Sequence, residues 1–313
     1  MNRAFVFPGQ GSQFVAMGKE IYDSFPEAKQ VFEEVDHALN ENLTKLIFTG
    51  PIEDLTQTKN AQPALMAVSL AIVKVIESQT KQPLSRLCKY VAGHSLGEYS
   101  ALCAANAISI SDTAKLLRIR GNAMTDAVPS GKGSMAALIG AEFDQAEQIA
   151  KKASPEGNCQ IANDNGGGQI VVSGSSEAID KVIEIAAELG VKKAVKLQVS
   201  APFHSKFMEP AAEIMRQALA DTIVRIPTID VIANVTADIV KNPDKIKDLL
   251  VQQVSGMVRW RETIIRLKQL EVEQINELGA GKVLSGLIKR IDREIITTSI
   301  QTPEDIDNFL NSL

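Results

Sequence analysis

At 313 residues, 45% of them hydrophobic, the chain is long enough for roughly two domains, or for one large α/β domain carrying an insert, and it can bury a full core. Its formal net charge of -5 argues against a nucleic-acid binder, which needs a basic face to neutralise phosphates, so any anionic ligand must be met by a few placed cations. Three widely spaced cysteines (Cys88, Cys103, Cys159), odd in number, point to reduced thiols in a cytosolic setting, and the three histidines (His37, His94, His204) show no metal-ligand spacing.

The opening MNRAFVFPGQ lacks the apolar run of a signal peptide. Ala4 to Phe7 is predicted as a short strand stopped by Pro8, with Gly9-Gln10-Gly11-Ser12-Gln13 as a loop leading into a helix. The loop imitates a dinucleotide fingerprint, but Phe14 holds the third glycine's place and no acidic residue ends a following strand at the right distance. Its glycines mark instead a backbone that must come close to something. Helical periodicity covers Gly18 to Leu46 and Ala61 to Glu77. The most apolar run, Ala64 to Val73, falls far short of the ~20 residues that cross a bilayer, so no membrane contact is expected.

Leu87 to Leu102, LCKYVAGHSLGEYSAL, carries the chemistry. A strand-like run feeds Gly93-His94-Ser95-Leu96-Gly97 and an Ala/Leu-rich helix follows at once, which is the strand-turn-helix context of a nucleophile elbow. A turn sharp enough to lift the serine hydroxyl clear of a sheet brings backbones too close for a Cβ on its flanks. Ser95 then stands at a helix N-terminus, where free N–H groups can hold an oxyanion. Ser111, as N-cap, is expected to open the next helix, running to Ala127, on which Leu117, Arg120, Gly121 and Met124 share one inward stripe. An inward guanidinium must find an anion, either a structural carboxylate or a ligand.

From Gly133 to Val199 the texture changes. Strands are predicted at Ser134 to Ile139, Cys159 to Asn163, Gln169 to Ser173 and Lys193 to Val199, and helices at Phe143 to Ala153 and Ser176 to Leu189. The order β-α-β-β-α-β is that of a ferredoxin-like unit, here an insert at 131–199 between two parts, 1–130 and 200–313, of a larger domain. Gly166 to Gly168, beside Asn163, Asp164 and Asn165, fits a hairpin tip. Next, Ser200-Ala201-Pro202-Phe203-His204-Ser205 forms a loop after a strand. A lone histidine is most often a satisfied core or surface residue, but His204 lies downstream of Ser95, as in the hydrolase chain order, and at a domain junction where clefts form. No Asp or Glu is marked as its orienting partner, so a backbone or side-chain carbonyl is left to fix the imidazole. The remainder alternates helix and strand, with strands at Asp230 to Val235, Glu273 to Leu278 and Glu294 to Thr298, and implies a mainly parallel sheet covered on both faces. Gly279-Ala280-Gly281-Lys282 lacks the spacing of a phosphate loop. Arg259, Arg261, Lys282, Lys289, Arg290 and Arg293 gather in this part, as a solvated face or a docking patch.

Taken together, FPGQGSQ (Phe7 to Gln13), GHSLGEYSAL (Gly93 to Leu102), Arg120-Gly121 with Met124 three residues on, GQIVVSG (Gly168 to Gly174), APFHS (Ala201 to Ser205), the Gln252 to Trp260 segment and ELGAGKVLSGLIKRI (Glu277 to Ile291) resemble, in order and nearly end to end, the malonyl-CoA:acyl carrier protein transacylases of bacterial fatty acid synthesis. The resemblance implies an α/β fold, with an α/β-hydrolase-like large domain and a ferredoxin-like insert. It implies Ser95 as nucleophile, His204 as general base, Gln253 as the residue whose carbonyl orients that base, and the N–H groups of Gln10 and Leu96 as the oxyanion hole. Arg120 would clamp the malonyl carboxylate, with Met124, Phe203 and Asn165 also in the substrate site. Phe203 departs from the serine of many bacterial members; an aromatic there goes with malonyl rather than methylmalonyl. Malonyl-CoA and an acyl carrier protein are the implied partners. A cytoplasmic monomer without cofactor or metal is expected.

Overall fold

A computed structural model describes residues 2–155, 157–199 and 201–313; Ser200, the first residue of the loop that carries His204, lies outside the described residues. Ten strands appear among them: β1 (Arg3–Phe7), β2 (Tyr90–Gly93), β3 (Gly133–Ile139), β4 (Cys159–Asp164), β5 (Gln169–Ser175), β6 (Lys193–Lys196), β7 (Asp230–Ile232), β8 (Ile239–Val240), β9 (Gln274–Leu278) and β10 (Ile296–Ile300). Six make a sheet in the order β10-β9-β1-β2-β7-β8, parallel throughout except for the antiparallel β7/β8 edge. Its central strands are continuous apolar runs because both faces are covered. On β1, Phe5 and Phe7 enter one core with Leu65, Ile72 and Tyr99, while Ala4 and Val6 enter another with Trp260, Ile264 and Ile288. The other four strands make an antiparallel sheet, β4-β5-β3-β6, with its own core of Leu138, Ile149, Ile170, Val172, Ile179 and Val182 beneath the helices Phe143–Ala153 and Ser176–Ala186.

Several expectations are corrected by local chemistry. The Gly18 to Leu46 stretch is three helices, because Pro26 begins a second and Asn40, with φ 51, ends it before Asn42 caps a third. Ser109, rather than Ser111, caps the helix Ile110–Asp126 by accepting from Asp112 N at 3.0 Å, and Ser111 bonds Glu34 instead. β6 stops at Lys196; Leu197 N still donates to Met135 O at 2.9 Å, and Leu197 to Val199 line a cavity. The Asp230 to Val235 strand ends at Ile232 and returns as β8. The reason is Asn234: its N–H is taken by Glu98 Oε2 and its side chain by Gly93 and Ser95, so it cannot extend a ladder. The helix Thr58–Thr80 is long and apolar enough to cross a membrane, but 83% of its apolar window is buried in the protein, where it serves as the core helix. All three cysteines are free and buried, and burial pushes their thiols up, to about 12 for Cys103 and Cys159.

The two sheets are joined by more than the chain. Val258 N donates to Ala162 O at 2.8 Å and Asp164 N to Val258 O at 3.0 Å, a parallel bridge between the end of β4 and the segment ahead of the helix Trp260–Gln269. Arg261 pairs with the buried Asp164 at 2.7 Å alongside it.

The elbow is welded into the large sheet by absent side chains. A Cβ on Gly93 would lie 1.9 Å from the Gly97 carbonyl carbon, and one on Gly97 2.2 Å from Phe7 O. Backbone atoms cannot yield as a flexible side chain can, so Gly97→Ala should destabilise the fold by about 3 kcal/mol. Urea unfolding checks this: an unchanged midpoint would mean that the elbow is far looser than described.

Candidate active site

Ser95 sits between β2 and the helix Leu96–Ala104 with φ 54 and ψ -111, a strained conformation for a residue with a Cβ. His204, at φ 55, shares that strain. Their side chains meet, with Ser95 Oγ 2.8 Å from His204 Nε2. The imidazole Nδ1 faces two backbone carbonyls, Gln253 O at 2.8 Å and Gly256 O at 3.1 Å, so Nδ1 carries the proton and Nε2 accepts from the serine. Both carbonyls lie at the C-terminal end of the helix Pro243–Ser255, where the last carbonyls have no intrahelical donor. That end is also the negative pole of the helix dipole, which suits a ring that must become a cation. The histidine is 3% exposed. Burial, with the Arg120 charge added, drives its pKa down to about 3.

The inward stripe on the helix Ile110–Asp126 is as expected: Leu117, Arg120, Gly121 and Met124 are all buried, while Arg118 turns outward to Glu41. Gly121 lets this helix touch its neighbour, since a Cβ there would lie 2.5 Å from Lys59 Cα. Arg120, only 1% exposed, meets no carboxylate directly among the described residues. Nη1 donates to Gln62 Oε1 at 2.9 Å, and Nη2 to Gln253 Oε1 at 2.7 Å and Ser95 Oγ at 3.1 Å. Its Cζ lies 5.6 Å from the centre of the Tyr99 ring. Burial lowers its pKa and nearby Tyr99 and Glu98 raise it, but a guanidinium keeps its proton at neutral pH. The result is a buried cation held by amide oxygens, with its charge left unneutralised by any direct ion pair.

Ser95, His204 and Arg120 open onto a cavity of about 300 Å³ whose wall also includes Gln10, Leu96, Met124 and Phe203. The N–H groups of Ser95, Gly97 and Glu98 are taken up by Asn234 Oδ1, His94 O and Ser95 O, whereas those of Leu96 and Gln10 have no protein acceptor among the described residues. Gly9 explains how the Gln10 loop reaches the elbow: a Cβ there would lie 2.8 Å from His94 O. Asn165 is placed differently from the rest of the expected set. Its Oδ1 accepts from His94 Nε2 at 2.8 Å, and the cavity wall carries Asn163 in its stead.

Three buried residues of the site were not singled out in the sequence: Gln62, Asn234 and Glu98. Glu98 is a lone carboxylate in the apolar segment LGEYSALCA, one turn after Ser95, and that oddity was the available signal. Its Oε2 accepts from Gln253 Nε2 at 2.8 Å and Asn234 N at 3.1 Å, and desolvation raises its pKa to about 7. Gln62 is a long polar side chain buried in the first turns of the core helix Thr58–Thr80. Asn234 follows an ordinary strand and carries no such mark.

The family model of the acyl transferase domain matches residues 4–280. The chain belongs to the acyl transferase family. Within it, the chain is 43% identical over 311 residues to the malonyl CoA-acyl carrier protein transacylase of Bacillus subtilis (strain 168), covering 99% of this chain and 96% of the relative. Among solved structures, the acyl-carrier-protein-S-malonyltransferase of Bartonella henselae superposes with a TM-score of 0.97 at 52% identity, covering 100% of this chain and 99% of that one. A malonyl-transacylase solved in complex with its type II PKS acyl-carrier protein superposes with a TM-score of 0.96 at 34% identity, over 100% of both chains. These acyltransferases share the two-sheet α/β architecture described above.

The depressed histidine pKa has a measurable sign. A general base works when neutral, and a ring with a pKa of about 3 stays neutral far below the usual 6.5. Acylation of Ser95 by a neutral activated ester, followed in single turnover, should therefore keep its rate from pH 8 down to about pH 5. An acid limb centred near 6.5 would show that the ring titrates like an exposed histidine.

Proposed function

We propose that the protein transfers the malonyl group of malonyl-CoA to the phosphopantetheine thiol of an acyl carrier protein through a malonyl-serine intermediate, supplying fatty acid synthesis. The curated and structural relatives carry that activity in their names. The observation within the chain that favours it is the buried Arg120, in contact with the Ser95 hydroxyl and without a carboxylate partner among the described residues.

In the first half-reaction Ser95 Oγ attacks the thioester carbon while its proton passes to His204 Nε2. The carbonyl oxygen becomes an oxyanion held by the N–H groups of Gln10 and Leu96, each worth about 3 kcal/mol in comparable sites. The C–S bond breaks, and the imidazolium returns its proton to the departing CoA thiolate. The carrier thiol then attacks the acyl-serine by the same steps reversed, which gives ping-pong kinetics. Arg120 meets the malonyl carboxylate with a bidentate pair, its Nη2 exchanging the Ser95 contact for the anion. This grip holds the acyl carbonyl away from any water that His204 could activate. Met124 and Phe203 wall the acyl pocket, and Asn165 acts at one remove, by fixing His94. No cofactor takes part, malonyl-CoA being a substrate.

We read the larger part, 1–130 with 200–313, as an α/β-hydrolase-like domain and 131–199 as a ferredoxin-like insert. The elbow after a central parallel strand favours the first. The antiparallel order β4-β5-β3-β6, with two helices on one face, favours the second. A cytoplasmic monomer fits the reduced cysteines and the absence of any need for a second copy at the site. The exposed Lys289 and Arg290 are the proposed seat of the carrier protein, being two cations in an acidic chain.

The rival reading is a serine esterase or thioesterase, for which the same serine and base would serve, but a hydrolase of neutral acyl groups has no use for the inward guanidinium. Intact mass after incubation with malonyl-CoA separates the two: a stable malonyl adduct mapped to Ser95 supports transfer, whereas free malonate without adduct supports hydrolysis. Arg120→Ala should lose malonyl transfer by about a hundredfold, the worth of a charge-assisted pair, while tolerating acetyl-CoA. An equal fall with both substrates would return Arg120 to a structural role. Charge reversal of Lys289 and Arg290 should raise KM for the carrier protein at low salt, and unchanged turnover would remove that patch from the account.

A further inference from the structure

Gln253 bonds through every polar atom of its side chain. Nε2 donates to Ser95 O and to Glu98 Oε2, both at 2.8 Å, and Oε1 accepts from Arg120 at 2.7 Å. A glutamine amide can turn over about its last bond, exchanging its NH2 for its oxygen at almost no steric cost, so something must decide which end faces the cation. Turned the wrong way, the NH2 would confront the guanidinium donor with donor and leave Arg120 without one of its two amide acceptors.

We propose that Glu98 is a positioning residue for the acyl-carboxylate site: its Oε2, fixed as an acceptor, joins the Ser95 main-chain carbonyl in locking the Gln253 amide with Oε1 toward Arg120 and so holds the guanidinium in place. What fixes Oε2 is a group that cannot turn over. The backbone N–H of Asn234 donates to that same oxygen at 3.1 Å, and a main-chain N–H only donates. Asn234 is in turn held from both ends, Nδ2 on Gly93 O at 2.7 Å and Oδ1 on Ser95 N at 2.8 Å. The chain of constraint therefore runs from the elbow backbone through Asn234, Glu98 and Gln253 to Arg120. Asn234, Glu98, Gln253 and Arg120 are each buried to below 3% exposure. Because Oε2 accepts from both donors, it is the oxygen that matters and not the charge: a protonated carboxyl bearing its hydrogen on Oε1 keeps the lock closed.

The argument rests on the malonyl-transfer reading, and the test keeps the two apart. The quantity measured is the ratio of kcat/KM for malonyl-CoA to that for acetyl-CoA. A wild-type protein with no preference for malonyl-CoA would sink the reading itself. Given a selective wild type, Glu98→Gln keeps an oxygen at the same point and should retain the ratio within about threefold, whereas Glu98→Met removes the acceptor and should lower it at least tenfold. An unchanged ratio in Glu98→Met, or a loss in Glu98→Gln as large as in Glu98→Met, would overturn the lock. Should Glu98→Met fail to fold, the amide can be read in the wild type. With 15N-labelled glutamine, the side-chain NH2 resonance missing from Gln253→Met should show both protons protected from solvent exchange. One fast-exchanging proton would place that NH2 toward the cavity and refute the proposal.

Discussion

The site depends on one glutamine at the end of one helix. The Gln253 main-chain carbonyl fixes the proton on the His204 imidazole, its side-chain NH2 grips the elbow at Ser95 O, and its side-chain oxygen steadies the buried guanidinium. Serine, imidazole and guanidinium are thus referred to a single rigid point, and that point is fully buried. The arrangement also accounts for the missing acid. A hydrolase triad stabilises its imidazolium with a carboxylate; here unpaired carbonyls at the negative pole of a helix stand where that carboxylate would be.

Burying an arginine in the middle of an α/β core is costly unless its donors are met. The solution is to meet most of them with neutral oxygens. Amides satisfy hydrogen bonds without cancelling the field, so the cavity keeps a positive potential in low dielectric, where it acts most strongly on an anion. Burial holds the histidine neutral and the same field adds to it, since a protonated ring beside the guanidinium would be repelled.

Most of the architecture was written in local pattern. The apolar run of β1, the strand-turn-helix around Ser95, the helix Phe143–Ala153 and the alternation that yields the four-stranded antiparallel sheet follow from periodicity and turn chemistry. The stripe that turns Arg120 inward was equally legible, because helical spacing decides facing. What escaped was settled by tertiary contact. The edge strand β8 exists because Asn234 abandons the ladder for the elbow, and nothing in the sequence around it announces that bond. Which atom of Gln253 holds the imidazole was likewise beyond pattern, since a side chain and its own carbonyl share one letter. Asn165 lies beside the right loop, yet its amide faces His94 rather than the cavity, a difference of side-chain direction that spacing does not carry.

The hydrogen-bonded bridge from β4 to Val258 has a bearing on motion. Val258 is five residues beyond Gln253 and two beyond Gly256, the pair of carbonyls that seat the imidazole. The smaller sheet, which forms one bank of the crevice, is therefore clamped to the very segment that aims the base. A guest that prised the banks apart would drag on Val258 and tilt the ring away from the serine. Width in an occupant of the cavity would thus cost alignment between ring and serine, some distance from where it collides.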